Sequence, residues 1–361
     1  MIKLKCFDKE WIDNFREQEQ YRRINPPLLE KMIHALSLLQ YLQTHGLNFI
    51  FKGGTSLILL LENSNRFSVD IDIITEDSRA TIESKLDQVV DASHFKGWKL
   101  DEKRSYGDGV PKAHYELEYE SNVNKGSNYI LLDILFEKAH YSSIQKRPIV
   151  SVWIETEQII EIDLPTVEAI TGDKLTAFAP TTTGILYGKE KELEIIKQLF
   201  DLGNLFNEVN TLEEVKASFL AFAEQEISYR KLSIKPSDIL NDTIETCRII
   251  SFRERNRNEP ERSHFAELQT GIRSFGNYLI SGNFRIDEAV TASAKVAYLC
   301  AKLLMDDFNP IEKYNGQDIS KLEIANPQWN GLNRLKRFPD QAAFFYWYKC
   351  IETLQQLDNK A

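Results

Sequence analysis

Two aspartates, Asp70 and Asp72, lie in the run Arg66-Phe67-Ser68-Val69-Asp70-Ile71-Asp72-Ile73, where polar and apolar residues alternate strictly. In a strand, residues two apart face the same side, so both carboxylates converge while Val69, Ile71 and Ile73 enter the core. Close carboxylates repel one another unless a cation sits between them. Magnesium takes one or two carboxylates and completes its shell with water and substrate phosphate oxygens, which suits such a pair. A solvated edge strand is the competing reading, and the poor strand propensity of aspartate weighs against it.

Upstream stands Lys52-Gly53-Gly54-Thr55-Ser56-Leu57. Paired glycines between a strand and a helix let backbone approach a ligand closely, and the helix start offers free N–H groups to phosphate. No Gly-Lys-Ser/Thr follows, so this is not a P-loop, and taken alone the pair describes an ordinary turn. A third acid, Asp133, interrupts the apolar run Tyr129–Phe136. Burying a lone acid is unfavourable unless it is paired or binds a metal. On a strand beside Asp70 and Asp72 it would complete a three-carboxylate cage; Glu137, of the same parity, is the substitute, and an exposed strand position is the alternative.

Several elements must hold these groups. Pro26-Pro27 is a natural helix start, and Leu28, Leu29, Met32, Ile33, Leu36, Leu39 and Leu42 recur at helical steps behind it. Leu47–Phe51 predicts a strand entering the Gly53-Gly54 turn, Thr55–Leu61 a helix closed by the polar stretch Glu62–Asn65, and Phe67–Ile73 a strand. A helix over 81–90 and strands over Ala113–Tyr119, Asn128–Phe136 and Ile149–Ile162 follow. Closely spaced strands with few helices between them predict a mixed or antiparallel sheet. After Pro165 the pattern turns helical almost to the end, and the polar tail beyond Gln355 reads as a frayed terminus. The expected class is α+β, with domains at 1–165 and 166–361.

With 361 residues, two domains fit the length. The cysteines Cys6, Cys247, Cys300 and Cys350 are far apart, without a Cys-x-x-Cys pair, which disfavours a zinc ribbon or disulfide framework and fits a reducing compartment. The six histidines form no metal-spaced cluster, and His34 reads as a packing residue in its helix. No run approaches the roughly 18 apolar residues of a membrane span, and the amino terminus becomes charged too early for a secretory signal, so a cytoplasmic protein is expected. A net charge of −10 argues against broad coating of nucleic acid but leaves room for a local basic cleft.

In order, a Gly-Gly turn, a helix, an Asp-x-Asp strand and a further acid resemble the DNA polymerase β-like nucleotidyltransferase signature. Fifteen residues separate Gly54 from Asp70, a gap that predicts a lengthened helix after the turn. The words Lys-Gly-Gly-Thr-Ser-Leu and Arg-Phe-Ser-x-Asp-Ile-Asp are similar to those of the AbiEii/AbiGii toxin family of type IV toxin–antitoxin systems. That family's later motifs find counterparts in Lys174 of Gly172–Ala177 and in Lys197-Gln198-Leu199-Phe200-Asp201-Leu202. Lys197 stands where the family has arginine and Gln198 where it has aspartate, while Asp201 is kept. The resemblance covers residues 28–205.

The resemblance implies transfer of a nucleoside monophosphate from an NTP to an acceptor, releasing pyrophosphate. By it, Asp70, Asp72 and Asp133 hold two Mg²⁺ ions, with Mn²⁺ as substitute. Lys52, Gly53, Gly54, Thr55, Ser56, Arg66 and Ser68 serve the nucleotide. Lys174 neutralises triphosphate charge, and Asp201 orients Lys174 or assists deprotonation. It further implies an antitoxin partner and tRNA as acceptor. The arginines Arg248, Arg253, Arg255, Arg257 and Arg262, with Phe252, His264 and Phe265 nearby and a second cluster at Arg334, Lys336 and Arg337, would suit an RNA face; an ordinary charged helical face is the alternative. Modification of a small molecule or protein, and a non-catalytic nucleotide-binding role, are the competing functions.

Overall fold

Seven strands, among the residues described by the computed structural model (1–62, 65–106 and 110–355), form one mixed sheet. They are β1 (Ile50–Lys52), β2 (Ile71–Thr75), β3 (Gly97–Leu100), β4 (Lys112–Ser121), β5 (Gly126–Phe136), β6 (Ile144–Pro148) and β7 (Glu161–Pro165). The spatial order is β3-β4-β5-β2-β1-β7-β6, with β2/β5 and β1/β7 parallel and the other pairs antiparallel. The sheet is therefore mixed and the class α+β, as the strand spacing predicts.

In β4 and β5 the period-2 pattern separates the faces: Ala113, Tyr115, Leu117, Tyr119, Ile130, Leu132 and Ile134 are buried, and the alternate residues are partly exposed. That is why an acid at 133 is tolerated inside an apolar run; it faces the open side. Helices α1 (Lys9–Arg16), α2 (Pro26–Thr44), α3 (Gly53–Leu60), α4 (Arg79–Ala92) and the single turn α5 (Glu102–Ser105) accompany the sheet. Three caps are side-chain made: Asn25 accepts from Leu28 N and starts α2, Ser78 accepts from Thr81 N and starts α4, and Asp101 accepts from Arg104 N and starts α5. His34 of α2 is buried, stacked on Tyr119 at 3.7 Å between ring centroids, with its Nδ1 2.8 Å from Nε2 of His94.

Three expectations need correction. The strand predicted over Phe67–Ile73 begins only at Ile71, because Phe67 N donates instead to Tyr278 O at 2.8 Å and Arg66 bridges to Leu279. This pairing comes from more than two hundred residues downstream, so no local pattern announces it. The helix after the glycines is not lengthened: α3 ends at Leu60, and Arg66 already stands in that bridge. Of the strand predicted over Ile149–Ile162, only Glu161 and Ile162 fall in a strand, β7; residues 149–160 connect β6 to β7. Asn63, Ser64 and the tail beyond Gln355 lie outside the described residues.

By its contacts the chain divides into two units, Met1–Thr166 with Asn277–Gly282, and Val167–Gly276 with the chain from Asn283 on. The second is helical: α6 (Val167–Ala177), α7 (Glu192–Glu208), α8 (Leu212–Arg230), α9 (Pro236–Phe252), α10 (Glu261–Phe275), α11 (Ile286–Leu304) and α12 (Ala342–Gln355). Cys247, Cys300 and Cys350, on α9, α11 and α12, are buried free thiols whose burial raises their pKa values. Among the described residues no helix is long and apolar enough to cross a membrane.

Candidate active site

Four side chains from four adjacent strands share one row of the sheet. Lys52 on β1 is opposite Asp72 on β2, Asp72 is opposite Asp133 on β5, and Asp133 is opposite His114 on β4. Paired residues on neighbouring strands point to the same face, about 4.8 Å apart along the hydrogen-bonding direction. The row therefore gathers a cation, two carboxylates and an imidazole on the open face. Asp70, one residue before β2, has the same parity as Asp72.

The Gly53-Gly54 turn is built against these acids. Gly53 has φ +76°, and a Cβ on it would come within 2.0 Å of Asp72 Oδ2. Only glycine adopts that backbone freely and leaves the carboxylate its place. Gly54 has the same problem with Arg66 and Ser68, whose Nη2 and Oγ would lie 2.5 and 2.9 Å from an added Cβ. Helix α3 begins at these glycines, so its first N–H groups open beside the acids, where the helix dipole favours negative charge.

The hydroxyls predicted to cradle phosphate have internal duties. Thr55 Oγ1 donates to Asp70 O at 2.6 Å and lies 2.9 Å from Ser68 Oγ, and Ser56 Oγ donates to Gly53 O at 2.8 Å. Both residues are fully buried. Thr55 thus ties the start of α3 to the backbone of the first aspartate. Arg66 is buried as well and donates from Nη1 to Phe67 O at 3.0 Å. Glu137 falls beyond the last residue of β5, and Asp133 is the acid in register with Asp72.

Sequence reasoning missed three members of this face. His114 Nδ1 lies 2.6 Å from Asp133 Oδ1, and Arg104 Nη2 lies 3.4 Å from Asp133 Oδ2. The alternation of β4 holds the only available signal for His114, since its partner is fixed by register. Lys31 of α2 sits over the Tyr129 ring at 4.8 Å. Burial lowers its pKa, and the charges of Asp70 and Glu116 oppose that shift. No local pattern marks Lys31, because it comes from a different element.

A separate cavity of about 450 Å³ in the same unit is lined by Tyr21, Leu59, Leu61, Arg147, Val152 and Ile280 among others, and none of the three aspartates borders it.

In the helical unit, Lys174 on α6 and Asp201 on α7 form a buried ion pair, Nζ to Oδ2 2.7 Å, and Lys174 also donates to Gln198 Oε1 at 3.1 Å. Gln198, at the family's aspartate position, is therefore a partner of the lysine. Lys197 pairs with Glu194 at 2.9 Å. Much of the arginine stretch is committed to internal contacts. Arg248 bonds Glu245 and Glu261, Arg253 pairs with Asp287 and covers the Phe338 ring, Arg334 donates to Ser251 O, and Phe265 is buried. His264 stacks on Tyr187. Arg255, Arg257 and Arg262 remain exposed.

A glycine turn opening a helix beside registered carboxylates on a mixed sheet agrees with the motif order that resembles a nucleotidyltransferase. Residues 37–288 match the family described as nucleotidyl transferase AbiEii toxin, type IV toxin–antitoxin system, and the chain belongs to that family. No curated protein matches it. Among solved structures it is similar to JHP933 from Helicobacter pylori, at 14% identity over 78% of this chain and 94% of that one, with a TM-score of 0.44. It is also similar to another solved structure from H. pylori, described as that of a candidate nucleotidyltransferase, at 17% identity over 72% of this chain and 95% of that one, with a TM-score of 0.35.

Proposed function

We propose that this chain transfers a nucleoside monophosphate from an NTP to a hydroxyl of an RNA acceptor, a tRNA, releasing pyrophosphate. In this reading it acts in the cytoplasm as the toxin of a toxin–antitoxin system countered by an antitoxin. The observation that carries the chemistry is the register of Asp72 with Asp133 directly beside the Gly53-Gly54 turn.

The carboxylates fit a magnesium site by donor type, offering hard oxygens in adjacent sheet positions. Among the described residues no three acid, histidine or cysteine side chains are already gathered about one point. Magnesium does not require that, because one or two carboxylates, water and the substrate's own phosphates complete its shell. Asp70, Asp72 and Asp133 would hold the ions, which when bound would withdraw charge from the phosphate oxygens.

The chain's own part is binding and orientation. Backbone N–H groups at the start of α3 receive phosphate oxygens, with the buried Thr55 and Ser56 hydroxyls shaping the turn. Ser68 and Lys52 lie on the turn's margin, where a hydroxyl and a cation suit the nucleotide. In the transfer, the acceptor oxygen bonds to the α-phosphorus as the bond from that phosphorus to the bridging oxygen breaks. Pyrophosphate leaves with the electron pair, and the hydroxyl proton passes to solvent.

A second acceptor class is favoured by one observation: Arg248, Arg253 and Arg334 are engaged internally, which reduces the basic face available to RNA. The deciding assay incubates the chain with Mg²⁺, each radiolabelled NTP in turn and total cellular RNA, beside Asp72→Ala. Label in a tRNA-sized band that the variant fails to produce supports the first reading. Pyrophosphate release on a small molecule or protein, without labelled RNA, replaces it with the second.

A further inference from the structure

We infer that His114 is a positioning residue for Asp133, fixing which of its two carboxylate oxygens is offered to a divalent cation. The inference rests on the proposed reading that Asp133 is a metal ligand. Among the described residues two groups reach this carboxylate, and they are unequal. The His114 contact at Oδ1 is 2.6 Å long, and the imidazole side chain is only 11% exposed. The Arg104 contact at Oδ2 is 3.4 Å long and comes from a side chain 46% exposed. A short, sheltered hydrogen bond to a carboxylate is strong, whereas a long one from an exposed arginine is readily displaced. Oδ1 is therefore held by the stronger contact, and Oδ2 carries the one that a cation can displace.

The backbone that carries the imidazole is itself braced. The backbone N of His114 donates to Ser105 Oγ at 2.9 Å, and its carbonyl accepts from Asp101 N at 2.8 Å. Asp101 caps α5 by accepting from Arg104 N at 3.1 Å. One short segment, Asp101–Ser105, thus holds the histidine's backbone and supplies the second contact to Asp133. Partners of this kind hold a metal-binding side chain in its binding orientation before the metal arrives.

Mn²⁺ binding to the full chain without nucleotide, followed by electron paramagnetic resonance of the free ion, tests this. His114→Asn keeps an N–H donor near the Nδ1 position; His114→Gln moves it outward to the Nε2 position. The expected result is Mn²⁺ binding weakened about 10- to 100-fold in the Gln variant and within about threefold of wild type in the Asn variant. KM for the NTP should be unchanged in both, with kcat lowered only in the Gln variant. Wild-type affinity in a folded His114→Gln chain, or equal loss in both variants, overturns the inference. A wild-type chain that binds Mn²⁺ yet forms no nucleotidyl product sinks the proposed reaction instead, and Mn²⁺ binding alone then judges His114.

Discussion

Asp72 Oδ2 occupies space that a Cβ on Gly53 would need, at a separation of 2.0 Å. The glycine and the acid belong to different elements, yet a side chain on the glycine would displace the acid. Gly53→Ala must also hold a left-handed φ, a strain of about 1–2 kcal/mol, and must push the carboxylate aside. Displacing a reacting group by about 1 Å is worth roughly a hundredfold in rate. The expected outcome is a folded protein with transfer reduced at least that much, read by the radiolabel assay beside thermal unfolding.

Removing charge at Asp72 or Asp133 tests the metal reading without altering shape. Asp72→Asn and Asp133→Asn should each lower transfer by about 10²- to 10³-fold, the scale of losing one group that stabilises developing charge. The unfolding midpoint should stay near wild type, since both positions lie on the open face. Titrating activity against Mg²⁺ checks the prediction; unchanged Mg²⁺ dependence in both variants would count against it.

The Lys174–Asp201 pair makes a stability prediction with opposite outcomes for single and double changes. Lys174→Met leaves a buried carboxylate without its cation and should destabilise the chain by about 3–5 kcal/mol. Adding Asp201→Leu removes the stranded charge and should restore most of that loss. Urea unfolding of the two variants measures both.

His34 and His94 set an acid limit on the first unit. Burial holds both imidazoles below their ordinary range, His94 at about 4, with the neighbouring His94 acting further on His34 and Lys96 on His94. Folded, they resist protonation, while the unfolded chain takes up protons near pH 6.5. Their contribution to stability is therefore complete above about pH 6.5 and declines as pH falls toward about 4. The unfolding temperature of wild type should drop across that window more steeply than that of a His34→Phe/His94→Leu variant.

Much of this was legible in the chain itself. The period-2 runs of β4 and β5, the proline start of α2 and the helical character beyond Pro165 are local patterns, because side-chain spacing and capping act over a few residues. The Gly-Gly turn and the Asp-x-Asp pair were visible for the same reason: each is a short motif whose chemistry depends on adjacent residue types. The mixed sheet followed from strand spacing.

What tertiary structure alone decided was partnership. Leu279 and Tyr278 pair with Arg66 and Phe67, which shortened a strand that local alternation had begun at Phe67. Strand register put Asp133 opposite both Asp72 and His114, and folding carried Lys31 from a helix to the same unit's acid-bearing face. Hydrogen-bond partners across a sheet are chosen by the pairing of distant segments, and alternation records only which face a residue takes, not what it meets there.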